Sequence, residues 1–320
     1  MASGLHWAVI DVIGAPFDLC GRRLGSRLGP AAIRLAGLVE ALEALDLNVV
    51  DCGDVQALPE CTEEGGLKNF RPMLRCVSQL RGMALESLRE GRIPVVLGGE
   101  HTIVAGGISA ALQHFEGDLG VLWIDAHADI NTPGTSDTGA LHGMPLAALA
   151  GMPSETEGMP DSEWQDFLNA LGPEYRLDLK STAWFGLRDV DPAERSRLAG
   201  FPVTMHHIDR SGVEEMIAQI DEWYCECGVK NLWVSFDVDA VDPKVAPGTG
   251  TDVRGGLTYR EAHLTAELIC EALALQDCPY RLVGVDLVET NPLIDSRNET
   301  AKMSVEWLSS LFGKTILGKR

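Results

Sequence analysis

The stretch Leu119-Gly120-Val121-Leu122-Trp123-Ile124-Asp125-Ala126-His127-Ala128-Asp129 is apolar up to Ile124 and then turns acidic. A short, nearly continuous apolar run suits a strand covered on both faces, as in a parallel sheet; a half-exposed strand would alternate. Residues 231–236 (Asn-Leu-Trp-Val-Ser-Phe) repeat the pattern and end on Asp237-Val238-Asp239. Working outward, β-rich runs at 7–13, 48–52, 94–97, 182–185, 203–207 and 281–285 complete a set of eight with 119–124 and 231–236. Amphipathic segments at 30–45, 68–90, 102–115, 213–227, 259–275 and 299–311 alternate with them. That rhythm predicts α/β layering over a parallel sheet. The Gly/Pro-rich piece 151–158 reads as a surface loop, and residues 1–320 read as one domain. Eight strands alone leave a closed barrel open as an alternative.

Composition narrows the function. The 320 residues carry 26 Lys+Arg against 47 Asp+Glu, a formal charge of −21, which argues against nucleic acid as a partner. No apolar run approaches the ~18 residues of a membrane span, and residues 1–12 lack a basic leader, so no membrane association and a cytoplasmic location are expected. The eight cysteines show no C-x-x-C pair and read as reduced thiols. Cys225 and Cys227 have no partner pair nearby and read as core or surface thiols. Acid-rich residues 60–64 read as solvated surface.

In open α/β sheets, ligands bind beyond the carboxyl ends of the strands. Gly98-Gly99-Glu100-His101, Asp125 to Asp129, Asp237 to Asp239 and Glu289 all follow strands. If the segments continue extended, the i, i+2, i+4 spacing of Asp125, His127 and Asp129 turns all three to one side, and Asp237 and Asp239 repeat this. One Asp-x-Asp is ordinary turn chemistry; two such groups with His101 at three strand ends point to a metal. Four carboxylates and two imidazoles suit Mn²⁺ better than a closed structural zinc site. Six ligands exceed one site that keeps room for water, and four Asp charges balance two divalent ions.

These residues lie in blocks that resemble the arginases of the ureohydrolase family. The blocks are Gly98-Gly99-Glu100-His101, Asp125-Ala126-His127-Ala128-Asp129-Ile130-Asn131-Thr132-Pro133, Leu141-His142-Gly143-Met144-Pro145, Gly186-Leu187-Arg188-Asp189-Val190-Asp191-Pro192, Ser235-Phe236-Asp237-Val238-Asp239, Gly255-Gly256-Leu257-Thr258-Tyr259-Arg260-Glu261 and Glu289-Thr290-Asn291-Pro292. They stand in family order from about Gly14 to Gly313 and are most like those of bacterial arginases. Agmatinases share the metal motifs, but Asn131-Thr132-Pro133, Leu141-His142-Gly143 and Arg188-Asp189-Val190-Asp191 are arginase-like.

The resemblance implies a three-layer α/β/α sandwich with an eight-stranded parallel sheet, and hydrolysis of L-arginine to L-ornithine and urea by a hydroxide bridging two Mn²⁺. It implies that His101, Asp125, Asp129 and Asp237 hold one ion and Asp125, His127, Asp237 and Asp239 the other. Asp129 matches the residue that steadies the intermediate, His142 the proton shuttle, and Glu289 the guanidinium partner. Asn131 and Thr138 match readers of the α-carboxylate, Asp191 and Glu194 positions around the α-amino group, and Thr251 a further active-site position. A homotrimer or homohexamer is also implied.

Two positions depart from the pattern. Ala140 stands where arginases usually carry Asn, and Glu100 where Asp is usual. Ala140 opens the same chemistry on peptidyl arginine or another guanidino acid as an alternative. A non-catalytic binding protein of the same fold is a further one. His6, His114, His206, His207 and His263 fall outside the blocks and read as surface or structural histidines.

Overall fold

The computed structural model describes residues 9–56 and 65–319. His6, Cys61 and residues 60–64 lie outside the described residues, as do the first eight residues, on which the reading of the amino terminus falls. The strands are β1 (Ile10–Ala15), β2 (Val49–Asp54), β3 (Ile93–Gly98), β4 (Gly120–Ile124), β5 (Thr182–Leu187), β6 (Phe201–Thr204), β7 (Asn231–Asp237) and β8 (Arg281–Val288). They pair in the order β2-β1-β3-β8-β7-β4-β5-β6, every pair parallel. β2 and β6 are open edges, so the sheet does not close into a barrel.

Helices cover both faces, because successive residues of each central strand point to opposite sides and both sets are apolar. Leu122, Ile124, Val234 and Phe236 pack into one core with the helices Gly29–Leu35, Val213–Cys227, Tyr259–Leu273 and Glu299–Leu311. Val121, Trp123 and Trp233 pack into the other with Phe70–Arg89, Val104–His114 and Met159–Ala170. The result is the expected α/β/α sandwich. At Gly284 of β8 the absent side chain matters: a Cβ there would lie 2.1 Å from the Trp233 ring. That glycine lets the indole lie flat against the neighbouring strand.

Two local expectations are corrected, and one helix is added. The segment 30–45 is two helices, Gly29–Leu35 and Leu38–Glu43, parted by Gly37 at φ 89°. The strand expected at 203–207 ends at Thr204, whose side chain caps the helix Met205–Ser211 through the His207 N–H. A Thr N-cap with a partner at N3 is a helix start, and it ends the β-rich run that suggested a longer strand. His206 and His207 are therefore helical. The helix Met159–Ala170, unforeseen in the sequence, follows the loop 151–158 and buries Trp164, Phe167 and Leu168.

Candidate metal centre

The four central strands, β3, β8, β7 and β4, are consecutive neighbours. Their carboxyl ends deliver His101, Glu289, Asp237 and Asp125 in that spatial order. The backbone then bends away from the extended geometry the spacing suggested. Asp237 ends β7 and accepts the Asp239 N–H at 2.8 Å, so Val238–Ala240 forms a helical turn. Asp125 likewise accepts the His127 N–H at 2.7 Å, and Asp129 sits at φ 53°. Side-chain capping of these turns, rather than strand alternation, gathers the carboxylates. Asp129 and Glu289 (φ 63°) both hold left-handed backbone that costs free energy in non-glycine residues and concentrates at functional sites.

His101 is the centre of the arrangement. Its Nδ1 stands 3.1 Å from one oxygen each of Asp125, Asp129 and Asp237. Yet it is buried and makes no properly aligned hydrogen bond. On the other side of the ring, Nε2 lies 2.9 Å from Ser235 Oγ, which donates to Asp286 Oδ1 at 2.6 Å. Asp286 Oδ2 accepts the Trp233 indole N–H at 2.7 Å. Since Ser235 spends its proton on Asp286, it accepts from His101 Nε2–H, which leaves Nδ1 as the nitrogen that would turn its lone pair to a cation among the carboxylates. A histidine locked in one tautomer by its far nitrogen is how proteins prepare a metal ligand. The ring also stacks on Trp123, with centroids 4.1 Å apart and planes 6° apart. The Trp123 N–H holds Asp125 Oδ2 at 3.0 Å.

The second half of the centre is built on His127. Its Nδ1 is 3.3 Å from Asp125 Oδ1 and 3.1 Å from Asp239 Oδ2. Thr251 Oγ1 donates to Asp239 Oδ2 at 2.7 Å, and the Ala126 N–H to Asp239 Oδ1 at 3.1 Å. His101, Asp125 and Asp237 form one group able to hold a cation, and Asp125, His127 and Asp239 form another, with Asp125 in both.

The electrostatics of the cluster favour a bound cation. Burial, then the neighbouring carboxylates Asp239 and Asp125, push Asp237 well above the usual carboxylate range. Burial and the Asp125 charge raise Asp129 to about 6. The carboxylates in turn raise His101 and His127 well above the usual imidazole range despite burial, and these positive charges hold Asp125 low. Four adjoining carboxylates cannot all stay ionised without cations among them, and the donor set of hard oxygens and imidazoles fits divalent ions.

Beyond the carboxylates a cleft of about 240 Å³ opens to the surface. Its wall carries His142, Asn131, Thr138, Ala140, Asp191 and Glu194. Asn131 donates to Asp191 at 2.8 Å. Glu194 accepts the Ile130 and Asp191 N–H groups at 2.9 and 3.0 Å, while burial and the nearby Asp129 raise it to about 7. Thr138 accepts the Ala140 N–H at 3.2 Å. Glu289 is buried, and its Oε1 lies 2.9 Å from Nδ1 of the cleft residue His142. Glu100 lies behind His101, fully buried, with Thr102 donating to one oxygen at 2.9 Å. His114 and His263 lie away from the cleft, the latter 3.1 Å from Ser310.

The sequence of the Arginase family, taken as a profile, matches residues 8–313. The chain belongs to the arginase family. It is 39% identical over 317 residues to an arginase of Staphylococcus aureus, covering 96% of this chain and 98% of that one. The native arginase structure from Bacillus caldovelox superposes with a TM-score of 0.85 at 35% identity, covering 97% and 99% of the two chains. The proclavaminate amidino hydrolase of Streptomyces clavuligerus is more distant, at TM-score 0.70 and 25% identity, covering 96% of this chain and 91% of that one. The chain is thus an arginase-type ureohydrolase, a metal-using hydrolase of small guanidino compounds.

Sequence reasoning missed Trp123, Trp233, Ser235 and Asp286. The available signal was a lone polar residue inside an otherwise buried apolar strand: Ser235 in β7 and Asp286 in β8, which pair in register. A polar group there needs a partner.

Proposed function

We propose that the protein is a Mn²⁺-dependent enzyme that hydrolyses L-arginine to L-ornithine and urea. The observation that carries this is His101 Nδ1, buried, without an aligned hydrogen-bond partner and surrounded by three carboxylate oxygens at 3.1 Å. His101, Asp125, Asp129 and Asp237 would hold one ion, and Asp125, His127, Asp237 and Asp239 a second. When bound, such a pair supplies charge that makes water acidic enough to give hydroxide near neutral pH.

The chain's own residues do the rest. Asp191 and Glu194 face the α-amino group, and Asn131 and Thr138 offer neutral hydrogen bonds to the α-carboxylate. This sets the side chain's guanidinium at the deep end, beside Asp129 and His142. Asp129 is placed to take the nucleophile's proton and pass it to the departing amine. His142, held by Glu289, relays protons between the cleft and solvent. Glu289, whose Oε1 accepts from His142 and from the His101 N–H, would offer its other oxygen, Oε2, to the guanidinium. Thr251 fixes Asp239. Hydrolysis adds water across the guanidinium carbon, breaks its bond to Nε, and leaves the Nε nitrogen as the ornithine amine.

Ala140 favours a second reading: with no side-chain donor there, the site would accept arginine within a peptide, or another guanidino acid. A non-catalytic role is the third, against which the intact ligand set, His142 and Glu289 stand. The reading takes residues 1–320 as one domain acting in the cytoplasm as a homotrimer or homohexamer; the seven described cysteines are free thiols, which suits a reducing compartment. Urea release from L-arginine, L-argininamide and an Arg-containing peptide in the presence of Mn²⁺ tests it. Release chiefly from free arginine supports the first reading, release chiefly from the blocked substrates the second, and none from any substrate the third.

A further inference from the structure

The cleft is strongly acidic, and this bears on how it takes an amino acid. Four carboxylates outside the metal ligands line it: Asp137, Asp189, Asp191 and Glu194. They suit an ammonium group and repel a carboxylate, which is the one anionic part of arginine. Asn131, Ser136 and Thr138 provide neutral hydrogen bonds but no charge, and Ala140 provides neither. A single Lys or Arg side chain is among the described lining residues, Arg22.

Arg22 belongs to the loop between β1 and the helix Gly29–Leu35, which carries three arginines. Arg27 pairs with the buried Asp18, and Arg23 lies 3.7 Å from Asp252. Among the described residues Arg22 has no ion-pair partner, and it is the one that lines the cleft. The backbone on both sides of it is fixed. Asp18 accepts the N–H of Gly25 at 2.6 Å and that of Arg27 at 3.3 Å. Lys68 Nζ donates to the Gly21 carbonyl at 3.2 Å, and the Cys20 thiol to the Lys68 carbonyl at 3.0 Å. Glu100, the longer residue where the family usually has Asp, packs directly on Gly21, where a Cβ would come 2.8 Å from its Oε2. The anchored backbone presents an exposed guanidinium that no carboxylate among the described residues engages.

We propose that Arg22 is the residue that reads the substrate's α-carboxylate, taking over the recognition that Ala140 cannot give. This rests on the proposed arginine hydrolysis and deepens it: the substrate is a free α-amino acid, because amidation or a peptide bond removes the anion that Arg22 pairs with. The planar fork matches a carboxylate bidentately. Arg22 touches substrate at the end remote from the reacting carbon, so it contributes to binding and not to the chemical step.

The test compares wild type, Arg22→Ala and Arg22→Lys on L-arginine and L-argininamide with Mn²⁺. Because the pair is solvent-exposed and screened, Arg22→Ala is expected to raise KM for L-arginine roughly 10-fold, with kcat within about twofold. KM for argininamide should stay within about twofold, and Arg22→Lys should fall between. An unchanged KM for arginine, or an equal rise for both substrates, overturns the proposal. Calorimetric binding of L-ornithine and 1,4-diaminobutane, which differ by the carboxylate, gives a readout without turnover. Arg22→Ala should weaken ornithine roughly 10-fold and leave 1,4-diaminobutane unaffected. If wild type releases no urea from arginine, the hydrolysis reading fails, and the ornithine comparison still decides Arg22: equal binding of ornithine by wild type and variant overturns its role.

Discussion

Oε1 of Glu289 accepts two hydrogen bonds of 2.9 Å, one from the backbone N–H of the proposed metal ligand His101 and one from Nδ1–H of His142. One carboxylate oxygen thereby ties the metal centre to the proton-relay candidate. Burial pulls the His142 imidazole down, but the hydrogen bond and charge of Glu289 outweigh it and leave the group at about 9. A histidine raised in the folded state contributes stability that is fully present below its unfolded value of ~6.5 and is lost as pH rises through the folded value. In metal-free protein carrying labelled histidine, His142 should titrate near 9, and in Glu289→Gln near or below ~6.5. The same variant should lose roughly 30-fold or more in kcat/KM, since removing one partner of a buried charged pair costs ~2–5 kcal/mol. A His142 titration that Glu289→Gln does not move would remove Glu289 from the relay.

Replacing His142 with Asn tests the relay itself. General acid–base groups contribute ~10²–10⁴-fold, and water in an open cleft substitutes in part, so kcat should fall roughly 10-fold or more. Bound Mn²⁺ per chain should not change, because His142 faces Glu289 and not the carboxylate cluster. Loss of metal in this variant would show that the role is misassigned.

Ser235→Ala removes the acceptor that fixes the His101 tautomer and leaves both Nε2–H and Asp286 short of a partner. Outer-shell partners of this kind commonly carry a 10–100-fold effect on metal affinity. Mn²⁺ titration should show a loss of that order, with kcat near wild type once the metal is saturating. Equal Mn²⁺ affinity in the two proteins would mean that packing on Trp123 alone orients the ring.

Ala140 is buried at the cleft wall, and its backbone N–H is already bonded to Thr138. An Asn there adds a side-chain donor toward the α-carboxylate. Hydrogen bonds to charged groups contribute ~1.5–3 kcal/mol, and with Arg22 proposed to pair with the same carboxylate the gain should fall at the lower end. Ala140→Asn is therefore expected to lower KM for free arginine about 3- to 10-fold with little change in kcat, and to leave argininamide unaffected. Overlapping saturation curves for both proteins on both substrates would show that this position has no part in specificity.

Much of the centre was legible because its chemistry is local in the chain. Runs such as Val121-Leu122-Trp123-Ile124 mark buried strands, and the acids that follow them mark the rim where such sheets bind ligands. The backbone at the rim was not legible: Asp125 and Asp237 cap their own turns, so the side chains converge through bends rather than through strand alternation. Ser235 and Asp286 lie 51 residues apart and meet only through the register of β7 and β8. The Thr204 cap likewise competes with the β-rich run around it, and local hydrogen bonding decides between them. Arg22 gave no signal in the sequence, because its meaning depends on which of three neighbouring arginines is left unpaired.

The most direct test of the account is urea release from L-arginine, measured as a function of Mn²⁺ bound per chain in protein first stripped by chelation. Activity should be absent without metal, rise with loading, and reach its plateau at two ions per chain, with ornithine and urea formed in equal amounts. Full activity with a single bound ion, or no urea with two, would contradict it.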